Sequence, residues 1–167
     1  NMKDSLKIAI AGATGYVGLE LIKILIKHPK ARILYLFAQK SIGRKISFFD
    51  KNITNKNLPR ISNIKYIDWN KINIIFTALP NGEAQKIARN MPKKVKLIDL
   101  SADFRLDSAN KFKKWYGINH GSKYLINKSL YAVTEFSRNK IKDYNIIACP
   151  GCYPTSIQIP LIPLLKR

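Results

Sequence analysis

The sequence contains little cysteine, little histidine and no long hydrophobic run. Two cysteines and two histidines among 167 residues exclude a disulfide scaffold and a four-cysteine zinc site, and we expect no bound metal. No apolar stretch reaches the roughly 18 residues that a membrane-spanning helix needs. Residues 1–5 are polar and lack the apolar core of a signal peptide. We therefore expect a soluble, cytoplasmic protein of one domain, or of one domain and a fragment, with no membrane partner.

Acidic residues are also scarce, since 30 Lys and Arg stand against 10 Asp and Glu, a formal net charge of +20. A charge of this size can indicate nucleic-acid binding. The lysines are scattered from Lys3 to Lys166, however, and no block of five or six basic residues occurs. We interpret most of the charge as a solvated surface and expect no nucleic-acid partner. A positive field would also suit a small anionic substrate or cofactor.

The hydrophobic residues, 46% of the chain, are arranged as short apolar runs that alternate with stretches of helical spacing. Strands are predicted at 6–11, 32–38, 64–67, 72–79, 95–100 and 145–148, and helices at 15–28, 83–90 and 153–165. We expect 39–59 to be loop and short edge structure, and the long stretch containing Trp115 and Tyr116 to be irregular. The alternation predicts an α/β fold with a doubly wound, mostly parallel sheet.

The first predicted strand leads directly into a glycine turn, Gly12-Ala-Thr-Gly15-Tyr-Val-Gly18. Gly12 permits the tight turn, Gly15 lets a pyrophosphate approach the helix N-terminus, and Gly18 allows close packing of the helix on the sheet. Strand, glycine turn and helix in this order predict a dinucleotide site of Rossmann type, although many NAD enzymes have G-x-G-x-x-G instead. A plain tight turn is the alternative. The predicted cofactor contacts here are Gly12, Thr14, Gly15, Tyr16, Val17 and Gly18.

The residues after the second predicted strand indicate which cofactor binds. An NAD site usually presents Asp or Glu there to the ribose 2′-hydroxyl. This chain offers Lys40, Ser41, Arg44 and Lys45, and no carboxylate before Asp50. Hydroxyl and cationic groups suit a 2′-phosphate, so we predict NADP(H), with Lys40, Ser41 and Arg44 as contacts. The alternative is that these bases belong to the scattered surface charge.

Both cysteines lie between a predicted strand and the last predicted helix, in Cys149-Pro-Gly-Cys152. Cys152 falls at or beside the helix N-terminus, where the dipole and free N–H groups stabilise a thiolate and could hold an oxyanion. This placement favours a nucleophilic Cys152. The C-x-x-C spacing leaves a redox pair open, and a structural thiol is a third possibility. Neither His28, which we expect to be exposed, nor His120 is a convincing base.

Four segments resemble N-acetyl-γ-glutamyl-phosphate reductases, and the likeness covers nearly the whole chain. They are 12–18, 98–106 (Ile-Asp-Leu-Ser-Ala-Asp-Phe-Arg-Leu), 131–135 with Arg138, and 150–155 (Pro-Gly-Cys-Tyr-Pro-Thr), with shorter likenesses at 78–82 and 115–117. Aspartate-semialdehyde dehydrogenases share the first segment, whereas the second and the fourth are more specific.

The resemblance implies an NADPH-dependent acyl-phosphate reductase of arginine biosynthesis. Cys152 would attack the acyl phosphate and expel phosphate, and hydride would reduce the resulting thioester to the semialdehyde. The resemblance further implies that Leu79 and Pro80 contact the cofactor. It implies substrate contacts from Ser101, Asp103, Arg105 and Glu135, although structural ion pairs are an alternative for the charged members.

The chain also departs from the family pattern. The family usually has Asn at Cys149, Gly at Ala132 and Pro at Thr134, and often His at Asn81. Cys149 leaves the hydrogen bonding beside the nucleophile open and would allow an inactivating disulfide with Cys152. Family members are about twice as long, in keeping with an additional domain, and their catalytic histidine lies downstream of the cysteine.

The resemblance therefore implies the N-terminal half of such an enzyme. We expect an NADP-binding domain at 1–148 and the truncated start of an α+β catalytic and dimerisation domain at 149–167. The full-length protein would be a homo-oligomer, and the fragment alone would be inactive. The alternatives are an aspartate-semialdehyde or aminoadipyl-phosphate type dehydrogenase and, in a different class, a non-catalytic NADP-binding or thiol redox module.

Overall fold

The structure, a computed structural model, describes residues 5–165, which fall into two compact units. The first extends to Leu79 and the second begins at Pro80. The predicted domains, 1–148 and 149–167, follow a different criterion, the likeness to a two-domain enzyme, and stay a prediction.

The first unit is a parallel α/β arrangement. Its strands are β1 (Leu6–Ala11), β2 (Ala31–Phe37), β3 (Ile61–Ser62) and β4 (Ile74–Thr77), its helix is α1 (Tyr16–Leu25), and short 3-10 helices cover Ile46–Phe48, Ile64–Tyr66 and Trp69–Lys71. The strand order is β3-β2-β1-β4, and every pair is parallel.

Strand β1 is central because it pairs with β2 on one side and with β4 on the other. Ile8 and Ile10 of β1 are buried, as are Ile22 and Leu25 of α1, and all four belong to one hydrophobic core. Full burial of such a side chain contributes about 1.5–3 kcal/mol. The core therefore fixes α1 on β1, and the β1–α1 loop lies at the carboxyl end of β1, between its two neighbours, where such sheets bind ligands.

The second unit contains three strands and five helices within the described residues. The strands are β5 (Lys96–Asp99), β6 (Ser129–Tyr131) and β7 (Ile146–Ala148), in the order β5-β7-β6 and all parallel; the helices are α2 (Glu83–Asn90), α3 (Ala109–Tyr116), α4 (Lys123–Ile126), α5 (Thr134–Ile141) and α6 (Cys152–Leu165). Parallel pairing within both units confirms the predicted α/β class, and α2 has the predicted bounds.

Two sequence predictions of secondary structure are wrong. The strand expected at 64–67 is a 3-10 helix, because the Asn63 side chain accepts a hydrogen bond from the Lys65 N–H at 3.0 Å and closes a turn. The paired strand is Ile61–Ser62 instead. The stretch expected to be irregular contains α3, which Ser108 caps by accepting from the Lys111 N–H at 3.2 Å. Helices α4 and α5 and strand β6 follow it before β7.

Helix α6 runs over 14 residues although Pro160 and Pro163 lie inside it. Much of its apolar surface is exposed, including Tyr153, Ile157 and Leu164. Within residues 5–165, no helix combines the length and the hydropathy required to span a bilayer.

Candidate dinucleotide and nucleophile sites

The glycine turn is held by the ends of the strands around it. Gly12 has a φ of +85°, and a Cβ at this position would collide with the carbonyl oxygen of Ala78. The N–H groups of Gly12 and Ala13 both donate to the carbonyl oxygen of Phe37 at 3.0 Å. The turn after β1 is therefore fixed to the ends of β2 and β4, and only glycine fits its first position.

The other two glycines differ in what requires them. A Cβ on Gly18 would collide with the carbonyl oxygen of Gly12, so close packing of α1 requires that glycine. Gly15 has a φ of −79°, and its Cβ would make only an ordinary contact, 3.6 Å from the Gly12 carbonyl oxygen. Packing within the protein does not explain Gly15. The open space beside its backbone fits the close approach of a pyrophosphate.

The N-terminus of α1 is open to an anion. No side chain caps this end, and its first turn contains no acidic residue. The first N–H groups of a helix lack intrahelical partners and favour negative charge. Tyr16 and Val17 are exposed, and Thr14 is half-buried. These residues fit the predicted pyrophosphate site, and their contacts with a cofactor stay predictions.

Two further predicted cofactor contacts follow β4. Leu79 lies beside the glycine turn, its Cδ2 atom 3.4 Å from the position of a Cβ on Gly12. Pro80 begins the second unit, and its carbonyl oxygen accepts from the Glu83 N–H at 3.2 Å.

The loop after β2 carries the predicted 2′-phosphate contacts. Ser41 has a φ of +64°, which is unusual for a residue with a Cβ and marks a strained backbone of the kind found at functional sites. The Gly43 N–H donates to the Ile61 carbonyl oxygen at 2.8 Å, and the Ile61 N–H donates to the Arg44 carbonyl oxygen at 3.0 Å. The loop is thus fixed against β3, while Lys40, Arg44 and Lys45 remain exposed.

Sequence reasoning missed two residues that organise this loop. The guanidinium carbon of Arg44 lies 4.1 Å from the centre of the Phe48 ring, a cation–π contact that restricts the arginine. Arg60 donates from Nη1 to the Gly43 carbonyl oxygen at 2.8 Å. The spacing of Arg44 and Phe48, four residues apart, is the only signal in the sequence, and it is weak without a predicted helix.

The first carboxylate after β2 is already paired. Asp50 lies 2.7 Å from the Lys23 ammonium group on α1, and this hydrogen bond lowers the pKa of Asp50. Residues 38–49 contain no acid. The loop therefore presents cations and a hydroxyl, which suit a 2′-phosphate better than the free 2′-hydroxyl of NAD.

In the second unit, the register of the sheet places the cysteine segment. Asp99 of β5 pairs with Ala148 of β7, and the Cys149 N–H donates to the Asp99 carbonyl oxygen at 2.8 Å. Cys152 is the first residue of α6, and it is exposed. Thr155 closes this helix start because its N–H and its hydroxyl donate to the Gly151 carbonyl oxygen at 3.0 and 2.8 Å.

The two thiols have different environments. Burial and, to a smaller extent, the nearby Asp99 together raise the pKa of Cys149 to about 11, although Arg105 opposes the shift. Cys149 is therefore a protonated thiol at neutral pH, and thiols react as thiolates. Both cysteines are free. This arrangement favours Cys152 as the nucleophile over a redox pair.

Two of the four predicted substrate residues form buried contacts. Ser101 donates from Oγ to Oδ1 of Asp99 at 2.6 Å. The Asp103 carboxylate accepts from the backbone N–H groups of Gly82 at 2.7 Å and Gln85 at 3.0 Å, and it is 1% exposed. Asp103 thus caps the start of α2, and its contact with substrate stays a prediction.

Arg105 and Glu135 are the other two predicted substrate residues. Arg105 is partly buried and donates from Nε to the Cys149 carbonyl oxygen at 2.8 Å and from Nη2 to the Leu100 carbonyl oxygen at 3.0 Å. Glu135 is exposed in the first turn of α5. Within residues 5–165 we find no ion pair between Glu135 and Arg138. The structure brings Arg105 to the cysteine segment, and substrate contacts of both residues stay predictions.

His120 has a structural environment. It is 2% exposed between the rings of Phe104 and Phe112, and its Nδ1 accepts from the Ser122 N–H at 3.2 Å. Nε2 therefore carries the proton and donates to the Asp103 carbonyl oxygen at 2.8 Å. Burial lowers the pKa of His120. The ring is neutral and enclosed, so it does not supply a base to Cys152.

His28 and the acidic residues form no metal site within residues 5–165. His28 is exposed, as expected, and accepts from the Lys30 N–H at 3.1 Å. The part of the chain that the structure describes holds no group of three or more His, Cys, Asp or Glu that could bind a metal ion.

The glycine turn at the carboxyl end of a central parallel strand, with an open helix N-terminus behind it, defines a dinucleotide-binding domain of Rossmann type. Residues 7–144 match the family model described as "Semialdehyde dehydrogenase, NAD binding domain". The chain belongs to this family of enzyme domains.

Two relatives specify the likeness further. The chain is 41% identical over 166 residues to N-acetyl-gamma-glutamyl-phosphate reductase of Ehrlichia chaffeensis, covering 99% of this chain and 48% of that protein. It is 38% identical over 163 residues to a probable N-acetyl-gamma-glutamyl-phosphate reductase, chloroplastic, of Oryza sativa, covering 98% and 39%. The resemblance predicted from the motifs is confirmed. The chain spans about half the length, or less, of these curated relatives.

Solved structures show the same fold. Aspartate semialdehyde dehydrogenase II from Vibrio cholerae, complexed with ASA, has a TM-score of 0.66 at 22% identity, covering 97% of this chain and 47% of that one. Aspartate semialdehyde dehydrogenase from Candida albicans, solved with NADP, has a TM-score of 0.62 at 19% identity with the same coverage. The predicted Rossmann-type fold is confirmed.

Proposed function

We propose that this chain is the NADP(H)-binding part of an N-acetyl-γ-glutamyl-phosphate reductase of arginine biosynthesis, with Cys152 as the nucleophile. The observation that carries the proposal is the exposed Cys152 thiol at the first residue of α6, in a chain whose other unit has an open glycine turn. The names of the relatives supply the substrate class.

The proposed chemistry follows from the position of the Cys152 sulfur. As a thiolate it attacks the acyl carbonyl carbon, the C–O bond to phosphate breaks, and inorganic phosphate leaves a thioester on Cys152. N–H groups at the start of α6 would hold the developing oxyanion. The bound nicotinamide cofactor supplies the hydride that reduces the thioester. Cleavage of the C–S bond then releases the semialdehyde and restores the Cys152 thiolate.

The glycine turn and the loop after β2 would hold the cofactor. The pyrophosphate fits beside Gly15 at the open N-terminus of α1, and Arg44, restrained by Phe48, is the cation best held to meet a 2′-phosphate. The pairing of Asp50 with Lys23 supports NADP(H) over NAD.

Partners of the longer protein belong to the same proposal. Helix α6 exposes apolar side chains, among them Tyr153, Leu161, Leu164 and Leu165. Such a face suits packing against the rest of a longer protein or against another subunit. A homo-oligomer, the absence of a nucleic-acid partner and a cytoplasmic location stay predictions. The Oryza relative is named as chloroplastic.

The test is an assay of NADPH oxidation by the complete protein encoded by the gene, with N-acetyl-γ-glutamyl, aspartyl and aminoadipyl phosphates as substrates. We expect phosphate-releasing turnover with the first substrate, and the loss of turnover but not of NADPH binding in Cys152→Ser. Faster turnover of either of the other acyl phosphates would replace the proposed substrate. Full activity of the serine variant would overturn the role of Cys152.

A further inference from the structure

The guanidinium group of Arg105 joins two segments that follow neighbouring strands. Nη2 donates to the carbonyl oxygen of Leu100, directly after β5, and Nε donates to the carbonyl oxygen of Cys149, directly after β7. Both acceptors are backbone atoms. The planar arginine fork therefore ties the backbone that leads to Cys152 to the end of the adjacent strand.

The third guanidinium nitrogen reaches the residue before the nucleophile. A Cβ built on Gly151 would lie 3.3 Å from Nη1 of Arg105, closer than most real Cβ contacts. The Gly151 carbonyl oxygen is also held, by the N–H and the hydroxyl of Thr155. The segment 149–151 is thus fixed by Arg105 on one side and by the first turn of α6 on the other.

We propose that Arg105 is a positioning residue for the Cys152 thiol, acting by fixing the backbone of 149–151. This inference rests on the proposed function, because it assumes that Cys152 is the nucleophile, and it assigns Arg105 a task separate from the predicted substrate contact. Two of its three nitrogens are engaged by the protein itself. The fork geometry is essential, since an ammonium group on a flexible stem does not reproduce two fixed directions.

The two cysteines report on this role in the complete protein encoded by the gene. The alkylation rate of each cysteine by iodoacetamide is measured from pH 6 to 10, with peptide mass spectrometry to separate the sites. The variants are Arg105→Gln and Arg105→Lys. Arg89→Gln is the matched control, because Arg89 is exposed on α2, away from the cysteine segment. Melting curves establish that each variant is folded.

In Arg105→Gln we expect alkylation of Cys152 at pH 7 to slow several-fold and its pH–rate profile to move to higher pH. Cys149 serves as the internal reference, because the loss of the Arg105 charge, which opposes the raised pKa of this buried thiol, should not speed its labelling. Arg105→Lys should recover the Cys152 profile only in part, since the charge returns without the fork. A residue that only stabilised the fold would lower the melting temperature and leave both native-state profiles unchanged.

The inference would be overturned if the pH–rate profile of Cys152 were the same in the wild type, in both Arg105 variants and in Arg89→Gln. If Arg105→Gln does not fold, Arg105→Lys and Gly151→Ala decide by the same criteria, because an alanine Cβ displaces Nη1 while Arg105 is kept. A wild-type Cys152 that reacts no faster than Cys149 would contradict the proposed function instead. The two failures are therefore distinguishable.

Discussion

At the scale of single residues, Cys149 and Cys152 are chemically different although only two residues separate them. Cys149 is partly buried with a pKa of about 11, whereas Cys152 is exposed at a helix start. We expect iodoacetamide at pH 8 to modify Cys152 at least tenfold faster than Cys149. At this pH, about three units below its pKa, the Cys149 thiol is almost wholly protonated. Peptide mass spectrometry measures both rates, and raising the pH toward 11 should narrow the difference.

Cys152→Ser and Cys149→Ser are the matched controls for this labelling experiment. The first should remove the fast phase and the second should retain it. Comparable labelling of both sites at pH 8 would show that the environments assigned to the two thiols are wrong.

Gly12 and Gly15 also differ, because only one of them is required by the protein's own backbone. Gly12→Ala combines a φ of +85° with a collision at the Ala78 carbonyl oxygen. It should lower the free energy of unfolding by about 3 kcal/mol. Gly15→Ala meets no such obstacle. It should leave the urea midpoint nearly unchanged and weaken NADPH binding at least tenfold, because its methyl group occupies the space assigned to the pyrophosphate.

Urea denaturation and NADPH fluorescence titration measure the two effects in this pair. If Gly15→Ala binds NADPH as tightly as the wild type, the pyrophosphate does not lie at this turn. If Gly12→Ala is as stable as the wild type, the left-handed backbone at Gly12 is not required.

At the scale of the elements, α2 depends on a cap supplied from a distant loop. Asp103 accepts from the N–H groups of Gly82 and Gln85 at the helix start and is buried. Asp103→Asn replaces one acceptor oxygen by a donor that faces an N–H group, which should cost about 1–3 kcal/mol. Urea unfolding measures the loss, with Asp107→Asn as the exposed control on the same loop.

A stability loss no larger than that of Asp107→Asn would contradict the capping role of Asp103. Retained NADPH binding in a folded Asp103→Asn variant is expected as well, because the cap lies outside the predicted cofactor contacts.

The loop that precedes α4 contains a buried titratable group, His120. Its folded pKa is lowered by burial relative to about 6.5 in an unfolded chain. Below that pH the unfolded chain binds the proton more readily, so stability present above about pH 6.5 is lost as the pH falls toward the folded pKa. We expect the urea midpoint to decrease from pH 7 to pH 5. His120→Gln should be less stable at pH 7 and should lose this part of the pH dependence.

The exposed His28 supplies the control for this measurement. His28→Gln removes an exposed imidazole and is the matched variant for His120→Gln. A wild-type slope in His120→Gln, or a midpoint that rises on acidification, would show that His120 does not titrate in this way.

At the scale of the whole molecule, local patterns predicted most of the fold. The apolar run of β1, the glycine turn behind it and the spacing of α1 and α2 are each contained within a few consecutive residues. The prediction that Cys152 lies at the start of a helix is confirmed for the same reason, because strand, Pro-Gly and helix are adjacent in the chain. The strand order within each unit then follows the rules for parallel crossovers.

The parts that could not be predicted depend on residues far apart in the chain. The carboxylate of Asp103 accepts from the N–H groups that begin α2, 18 and 21 residues earlier, and no local pattern predicts this cap. A substrate contact of Asp103 stays a prediction. His120 is enclosed by the rings of Phe104 and Phe112, which no local pattern places around it. The contact of Phe48 with Arg44 was missed because the intervening turn has no sequence signature.

The most direct test of the central claim is the capture of an acyl group on Cys152. The complete protein is mixed with N-acetyl-γ-glutamyl phosphate without NADPH, quenched in acid, digested and analysed by mass spectrometry. We predict a stoichiometric N-acetylglutamyl thioester on the peptide that contains Cys152, which disappears when NADPH is added before the quench and never forms in Cys152→Ser. Turnover without an adduct on Cys152, or an adduct on another residue that NADPH discharges, would contradict the account.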